Sequence, residues 1–474
     1  MSVDDCVRHY SLEEPMTPRK AAAKVKKAEK AGGGASDDRA VALLQEYLRI
    51  NTTNPPGSEG PAAEFLEAIL AGSGIKAKIF TSPNGRPNLV ARLKGKKGNA
   101  LALMHHMDVV PCDETKWSVD PFGGELKDGA IWGRGAIDMK GQGLMHVLAL
   151  CELAEAVDSG EVELERDALL VAVSDEEEAG ADGAGWLVST HADEVDCTEL
   201  LTEGGAGLRD ALPGVDAFAC AMTEKSFLWL RLLADGEPGH GSVPPDDQAI
   251  LKILDLIAEL RKISRRLHMS APVARLFASL ADAGDAKLKA AIRAATSPAG
   301  PAVLPLIAKQ LGSAQQALLR DTISITQVQA GYKSNVIPGS ASATIDCRLL
   351  PDTDPDSYLK KLRAVAASHD VRIEEIDVGT SGGISEPGEL YSALETACAQ
   401  EAPSARFVQS VSPGFTDSRF WRSNGTSCLG LLPCLLTSEL LSTIHGDDER
   451  LPVDEYLRGC RITTQVLRSV CAAK

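Results

Sequence analysis

The stretch Ala168-Leu-Leu-Val-Ala-Val173 runs directly into Ser174-Asp-Glu-Glu-Glu-Ala-Gly180, so six apolar residues lead into a block of four acids. A short apolar run bounded by turn residues reads as a buried strand. Four adjacent carboxylates repel one another, and a solvated charge run is the ordinary account of such a block. This block stands at the carboxyl end of a strand, where open α/β sheets bind their ligands. A divalent cation there would offset the repulsion.

Outward from that strand, β-rich runs at Ala77 to Thr81, Asn88 to Lys94 and Ala100 to Val110 precede a helix from about Lys140 to Val157. Strands alternating with helices indicate an α/β layer fold. Two helices come before any strand. The first spans Arg39 to Ile50, with Val41, Leu43, Leu44, Tyr47 and Leu48 at helical spacing, and Asn54-Pro55-Pro56-Gly57 separates it from a second near Pro61 to Leu70. Residues 1–38 mix charges of both signs with alanines and reach Gly32-Gly33-Gly34, which suggests a charged, partly helical, solvated extension. After Met222 the pattern changes to a strand at Phe227 to Ala234, a long helical stretch from Asp247 to about Leu319 broken near Ser297 to Pro301, and strands at Thr322 to Val328 and Ser342 to Arg348. That order describes an α+β module inserted into the first domain. The first domain resumes near Pro387, with a helix at Leu390 to Ala399, a strand at Cys428 to Leu432 and a last helix from about Asp454 to Val470. The expected fold is therefore α/β, a central mixed sheet flanked by helices, divided as 1–38, 39–224, 225–382 and 383–474. No internal repeat of fixed period occurs.

Composition narrows the function. The 474 residues are 44% apolar, 24% charged and 4% aromatic, an ordinary globular balance poor in base-stacking rings. A net charge of −17 repels nucleic acid and anionic membrane surfaces, so neither is expected as a partner. No apolar run reaches membrane-spanning length, and the first 40 residues lack the apolar core of a signal peptide. Eleven cysteines without C-x-x-C pairs fit reduced thiols, and a cytoplasmic location is expected.

Four further segments carry chemistry-bearing side chains. In Leu101-Ala-Leu-Met-His-His106-Met-Asp108-Val-Val-Pro111 a hydrophobic strand ends in His106 and Asp108, which at i and i+2 share one side. An imidazole there could bind a metal while the Asp108 carboxylate fixes its tautomer, or the pair could be a polar strand end. Trp132-Gly-Arg-Gly-Ala-Ile-Asp138-Met-Lys-Gly141 sets one carboxylate at the head of a helix, as a ligand or as a cap. Its glycines do not make a nucleotide loop, because the third glycine of G-x-G-x-x-G falls at Asp138. Glu203 precedes Gly204-Gly205, and His445 lies in Ser442-Thr-Ile-His445-Gly446 before a run of charged residues. Each alone is also an ordinary solvated loop residue. Together they offer imidazole and carboxylate donors without thiolate, a set suited to hard or borderline divalent metals.

In order and spacing, His106-x-Asp108, Gly133-Arg-Gly-x-x-Asp138-x-Lys-Gly141, Asp175-Glu-Glu177, Glu203-Gly and His445-Gly-x-x-Glu449 resemble the co-catalytic dizinc metallopeptidase family. That family includes aminoacylases, carboxypeptidase S, glutamate carboxypeptidase, acetylornithine deacetylase and succinyl-diaminopimelate desuccinylase. The resemblance covers about Arg39 to the C-terminus and makes the inserted module a lid and dimerisation domain, through Gly239-His240-Gly-Ser242-x-Pro244, Asn335-Val-Ile-Pro338 and Asp346-Cys-Arg348-x-x-Pro351. It implies two zinc ions per subunit, with cobalt or manganese as alternatives. Asp138 would bridge them, His106 and Glu203 would complete one site, and Glu177 and His445 the other. Glu176 would be the general base, with Asp108 supporting the site, although Glu178 allows the register to move by one. Glu176 and Glu177 would divide these roles because adjacent side chains of an extended chain point apart. The resemblance also implies a cis peptide between Asp138 and Met139, a homodimer joined through the lids, a histidine at 240 reaching the partner's site, and substrate carboxylate binding by Asn335 and Arg348. Arg348 could instead sit in a structural ion pair involving Asp346. The long lid and Ser412-Pro-Gly-Phe-Thr-Asp417-Ser-Arg419 look most like the carboxypeptidase S and N-acyl-amino-acid hydrolase branch. The expected reaction is zinc-dependent hydrolysis of an amide in a peptide or N-acyl amino acid, releasing a free amino acid. The rivals are a dedicated biosynthetic deacylase such as an acetylornithine deacetylase, and a dimeric metal-binding protein without catalysis.

Overall fold

The computed structural model describes residues 35–473 apart from 213, 282–285, 296, 298–299 and 310–315. The expectation for the N-terminal extension lies, up to residue 34, outside the described residues. In chain order the strands are β1 (Ala77–Thr81), β2 (Pro87–Leu93), β3 (Ala100–His106), β4 (Glu125–Lys127), β5 (Ala130–Trp132), β6 (Asp167–Val173), β7 (Glu199–Leu212), β8 (Val215–Glu224), β9 (Ser226–Asp235), β10 (Gly239–His240), β11 (Thr322–Ala330), β12 (Val336–Ile337), β13 (Ser340–Leu349), β14 (Arg372–Gly379), β15 (Arg406–Ser412), β16 (Ser427–Leu436) and β17 (Arg450–Pro452).

Eight of these form one mixed sheet in the order β1-β2-β6-β3-β7-β16-β8-β15. β3 runs parallel to β6 and β7, whereas β2 is antiparallel to β6. Every residue of β3 and β6 is buried, as expected of strands covered on both faces. The helices Lys140–Asp158 and Val453–Cys471 supply much of that cover, joining Leu144, Leu150, Ile462 and Val466 to sheet residues Leu101, Leu103 and Leu170.

Sequence patterning sees only a short apolar stretch ahead of Glu203, but β7 and β8 form a long hairpin. The reason is local crowding. A Cβ at Gly205 would lie 2.2 Å from Ala219 O and 2.4 Å from Gly430 O, and one at Gly207 would lie 2.4 Å from Cys434 O. Three backbones approach too closely there for side chains, so glycines replace the β-branched residues that announce a strand.

A second, four-stranded antiparallel sheet has the order β11-β13-β9-β14. The amphipathic helix Ala249–Ile263 covers one face of it with Ala249, Ile253, Leu256 and Leu260, and the helix Pro355–Ser368 packs into the same core. The long helical stretch expected from Asp247 is divided into Ala249–Ile263, Ala271–Ala281, Ala286–Ala295 and Gly300–Ala308. Its later part does not join the lid core. Val273, Leu276, Phe277, Ile292 and Leu304 cluster instead with Ala217 and Ala219 of β8 and with Val408 and Val411 of β15, at the edge of the large sheet. No helix among the described residues is long and apolar enough to cross a membrane.

Candidate metal centre

The parallel register sets the site. His106 ends β3 opposite Val173, the last residue of β6, and Met107 N–H donates to Val173 O at 2.8 Å. The acid block therefore leaves the sheet beside His106. Leu103 pairs with Leu201, so the neighbouring β7 carries Glu203 to the same end. These three carboxyl ends form the crevice at which α/β sheets bind ligands. Asp138 arrives on the turn before the helix Lys140–Asp158, and its peptide to Met139 is cis. His445 precedes β17, which pairs with β5 just upstream of Asp138.

The two imidazoles share one carboxylate. His106 Nε2 lies 3.1 Å from Asp138 Oδ1, and His445 Nε2 lies 3.1 Å from Asp138 Oδ2. Glu203 Oε1 is 3.7 Å from His106 Nε2, and Glu177 Oε2 is 3.3 Å from His445 Nε2. Among the described residues, two donor groups are compact enough to hold a cation: His106 with Asp138 and Glu177, and His106 with Glu176 and Glu203. Glu178 is exposed and outside both groups.

Surrounding bonds hold these donors in place, in one case differently from the expected manner. His106 Nδ1 bonds the backbone carbonyl of Asp108 at 2.9 Å, and the Asp108 carboxylate is farther away at 3.6 Å. That carboxylate instead accepts Asn54 Nδ2 at 2.8 Å and the N–H groups of Glu176 and Glu177 at 3.3 and 3.2 Å. Asp108 thus orients His106 through its main chain and anchors the acid turn through its side chain. Glu176–Glu178 is a 3₁₀ turn, not extended chain. Its threefold geometry, rather than strand alternation, sends Glu176 inward and Glu178 to solvent. Behind Asp138, the fully buried Glu449 accepts N–H groups of Gly135, Ile137 and Asp138 at 3.1, 2.7 and 3.0 Å and pairs with the buried Arg134 at 2.6 Å.

The electrostatics call for positive charge. Burial, then the charge of Glu203, raises the Glu176 carboxyl well above its ordinary range, and burial with the Asp138 charge does the same to Glu203. Burial also raises Glu177. Burial works against ionisation of Asp138 too, but hydrogen bonds from His106 and His445 overcome it and keep that carboxyl ionised. Hydrogen bonds to Asp138 and Glu177 push His445 up to about 10. Glu177 Oε1 is buried without a hydrogen-bond partner among the described residues. A divalent cation would relieve both the repulsion and that orphaned oxygen, so the donor set fits a metal.

The other expected site residues lie elsewhere. Gly241 N–H donates to Asn335 O at 3.0 Å, so the ribbon of β10 and β12 brings His240 and Asn335 together on an exposed part of the lid. Arg348 is paired with Asp346 through Nε at 2.8 Å and Nη2 at 3.0 Å. Among the described residues, no hydrogen bond or ion pair links His240, Asn335 or Arg348 to the acid–histidine cluster of the same chain. Asp417 has no individual role that its sequence suggests, yet it is fully buried beside the cluster with both oxygens unpartnered among the described residues, and burial pushes it up to about 7. Glu224 holds its loop by accepting Thr416 Oγ1 at 2.8 Å and Ser418 Oγ at 3.0 Å. A single acid in a Ser/Pro/Gly-rich loop has no periodicity to reveal it.

This chain is similar to known proteins over most of its length. Aminoacylase-1 of Sus scrofa is 28% identical over 463 residues, covering 93% of this chain and 97% of its own. The M20 family metallo-carboxypeptidase Sso-CP2 of Sulfolobus solfataricus superposes with a TM-score of 0.68 at 16% identity, covering 90% of this chain and 98% of its own. YXEP of Bacillus subtilis, a dinuclear metal-binding peptidase, gives a TM-score of 0.57 at 14% identity, covering 92% and 99%. These two structures share the fold. The profile of peptidase family M20/M25/M40 matches residues 102–469, from the third residue of β3 through His445 into the last helix, and this chain belongs to that family.

Proposed function

We propose that this chain hydrolyses the amide bond of an N-acyl amino acid or small peptide and releases a free amino acid, using two zinc ions. The observation that carries the reading is Asp138, whose two oxygens each lie 3.1 Å from a different imidazole. One carboxylate so placed can serve two cations. His106 and Glu203 would complete one zinc site and Glu177 and His445 the other. Zinc suits a histidine and carboxylate set without thiolates, and cobalt or manganese could replace it. When bound, such a pair polarises the scissile carbonyl and acidifies water.

The protein's own groups do the rest. Glu176, held by Asp108 through its backbone N–H, has a carboxyl raised well above its ordinary range by burial and by Glu203. It takes the proton of the attacking water and returns it to the leaving nitrogen, as general acid–base catalysis requires. Arg348 keeps Nη1 outside the Asp346 pair and receives the substrate carboxylate through it, with Asn335 assisting. The extent of similarity to aminoacylase-1 favours the acyl-amino-acid reading over a dedicated biosynthetic deacylase. Residues 225–382, apart from the helices Ala271–Ala281, Ala286–Ala295 and Gly300–Ala308 that pack on the large sheet, are assigned as the lid, and two lids pair two subunits. The largely exposed strand β11, at the edge of the lid sheet, supports this pairing. Ten free cysteines among the described residues support a reducing, cytoplasmic setting.

Metal analysis of the purified protein, together with a panel of N-acyl amino acids and dipeptides, tests the reading. The expected result is bound zinc and turnover that chelation abolishes and zinc restores. Active protein free of transition metal would overturn it.

A further inference from the structure

Alternation along β9 places Phe227, Trp229 and Arg231 on one face of the lid sheet. The intervening Leu228, Leu230 and Leu232 enter the core shared with the helices, so Phe227, Trp229 and Arg231 occupy the face the helices leave open. The register puts Arg348 of β13 opposite Phe227, and Asp346 opposite Trp229. Phe415, from the loop after β15, closes on them, with ring centroids 4.4 Å from Phe227 and 5.9 Å from Trp229. Phe227 is the fixed floor of this group. It is buried, and a Cβ on Gly379 would meet its ring at 2.1 Å.

Trp229 and Phe415 remain half-exposed, and the Arg348 guanidinium lies 4.8 Å over the Phe415 ring. Asp346 occupies its Nε and Nη2, and Nη1 makes no hydrogen bond among the described residues. The group adjoins the candidate metal centre. Thr416, next to Phe415, packs its methyl 3.3 Å from where a Cβ of Gly204 would stand, and Gly204 follows Glu203.

We propose that Trp229 and Phe415 form the wall that reads the side chain of the released amino acid and selects large apolar side chains. This rests on the amide-hydrolase reading of the same site. An amino acid's carboxylate and side chain branch from one carbon, so a carboxylate on Arg348 Nη1 brings the side chain, not the acyl group, against these rings. Half-exposed aromatic faces gain from apolar contact. An acidic side chain would lose its hydration against the negative faces of the rings, and the Arg348 charge that could attract it is already offset by Asp346 and by the substrate carboxylate. A basic one would be attracted to them, but Arg348 and Arg419 already stand over Phe415, at 4.8 and 5.0 Å, and repel it.

The test compares kcat and KM for N-acetyl derivatives of leucine, phenylalanine, glycine, glutamate and lysine in the zinc-loaded full chain and in Trp229→Ala, Trp229→Phe and Phe415→Leu. The unaltered chain should favour leucine and phenylalanine over glycine by at least about 10-fold in kcat/KM, the scale on which hydrophobic pockets discriminate. Trp229→Ala should remove most of that preference, raising KM for the leucine and phenylalanine substrates by a larger factor than for the glycine substrate. Trp229→Phe should retain part of it, and Phe415→Leu should shift preference from phenylalanine toward leucine. An equal loss on all five substrates would make the rings a structural hinge and overturn the proposal. So would a preference for glutamate or lysine in the unaltered chain. If metal-loaded protein hydrolyses no amide at all, the functional reading fails and this inference fails with it; turnover with the wrong selectivity refutes this inference alone.

Discussion

The carboxylate of Glu449 accepts the backbone N–H of Asp138 at 3.0 Å, so the loop after His445 holds the carboxylate that faces both imidazoles. The same carboxylate is the partner of the fully buried Arg134 at 2.6 Å. Two parts of the site distant in sequence are thereby fixed to each other.

Removing that link should be costly. Glu449→Ala leaves a buried guanidinium uncompensated and three N–H groups without their acceptor, and should destabilise the fold by about 3–5 kcal/mol. Glu449→Gln can keep an acceptor for the Ile137 and Asp138 N–H groups but leaves Arg134 unneutralised and the Gly135 N–H without its acceptor, so its loss should be smaller than that of Glu449→Ala. Urea unfolding of both variants checks the order. A Glu449→Ala protein as stable as the parent would mean that the pair does not anchor the loop.

The two adjacent glutamates should separate by readout. Glu176→Gln should retain bound metal while turnover falls at least about 10²-fold, within the contribution of a general base. Glu177→Gln should instead lose metal, because Glu177 lies 3.3 Å from His445 and its other oxygen is buried without a partner. Metal content by mass spectrometry beside turnover decides between them. Metal loss in Glu176→Gln would assign Glu176 to the donor group it can form with His106 and Glu203.

Much of this site is legible in the sequence because its donors sit where periodic signals stop. The apolar runs of β3 and β6 announce buried strands, and His106 and the acid block follow them. Other features have no such marker. β7 is hidden by the glycines that let three backbones meet, and the helices after Ile263 are amphipathic without indicating which sheet they cover. The Asp108 carboxylate is aimed by Asn54 and the acid turn, contacts that only the folded chain brings together. Asp417 is conspicuous only through its burial without a partner.

Acid sensitivity should have an identifiable component in His146. This imidazole is fully buried on the helix Lys140–Asp158, and burial lowers it to about 3. Its folded value lies below the unfolded one of about 6.5. The unfolded chain therefore binds the proton first, and stability present above pH 6.5 is lost as pH falls toward 3. The slope is at most about 1.4 kcal/mol per pH unit for one group. His146→Leu should remove that slope, so the stability difference between parent and variant should change by about 2 kcal/mol between pH 7 and pH 5. Parallel stability curves in denaturant titrations would rule out His146 as the source.

The last prediction concerns the exposed lid histidine. His240 Nδ1 receives the hydroxyl of Ser242 at 2.7 Å and the Ser242 N–H at 3.2 Å. An acceptor at Nδ1 places the proton on Nε2, which makes no hydrogen bond among the described residues. The imidazole is thus a prepared donor facing outward, with no bond to its own chain's acid–histidine cluster. Joined to the proposed pairing of lids, this would let it act in the partner's site, where a donor to developing negative charge would contribute about 2.7–4 kcal/mol to the transition state. His240→Ala should therefore lower kcat by about 10²–10³-fold with metal retained. The decisive measurement mixes two inactive homodimers, His240→Ala and Glu176→Gln, and allows subunits to exchange. In each heterodimer one composite site combines an intact Glu176 with an intact His240, so up to about half of the heterodimer's sites should recover, because one of its two sites is whole. Heterodimers demonstrated by differential tagging that regain no activity would place His240 in its own subunit's site or outside the reaction.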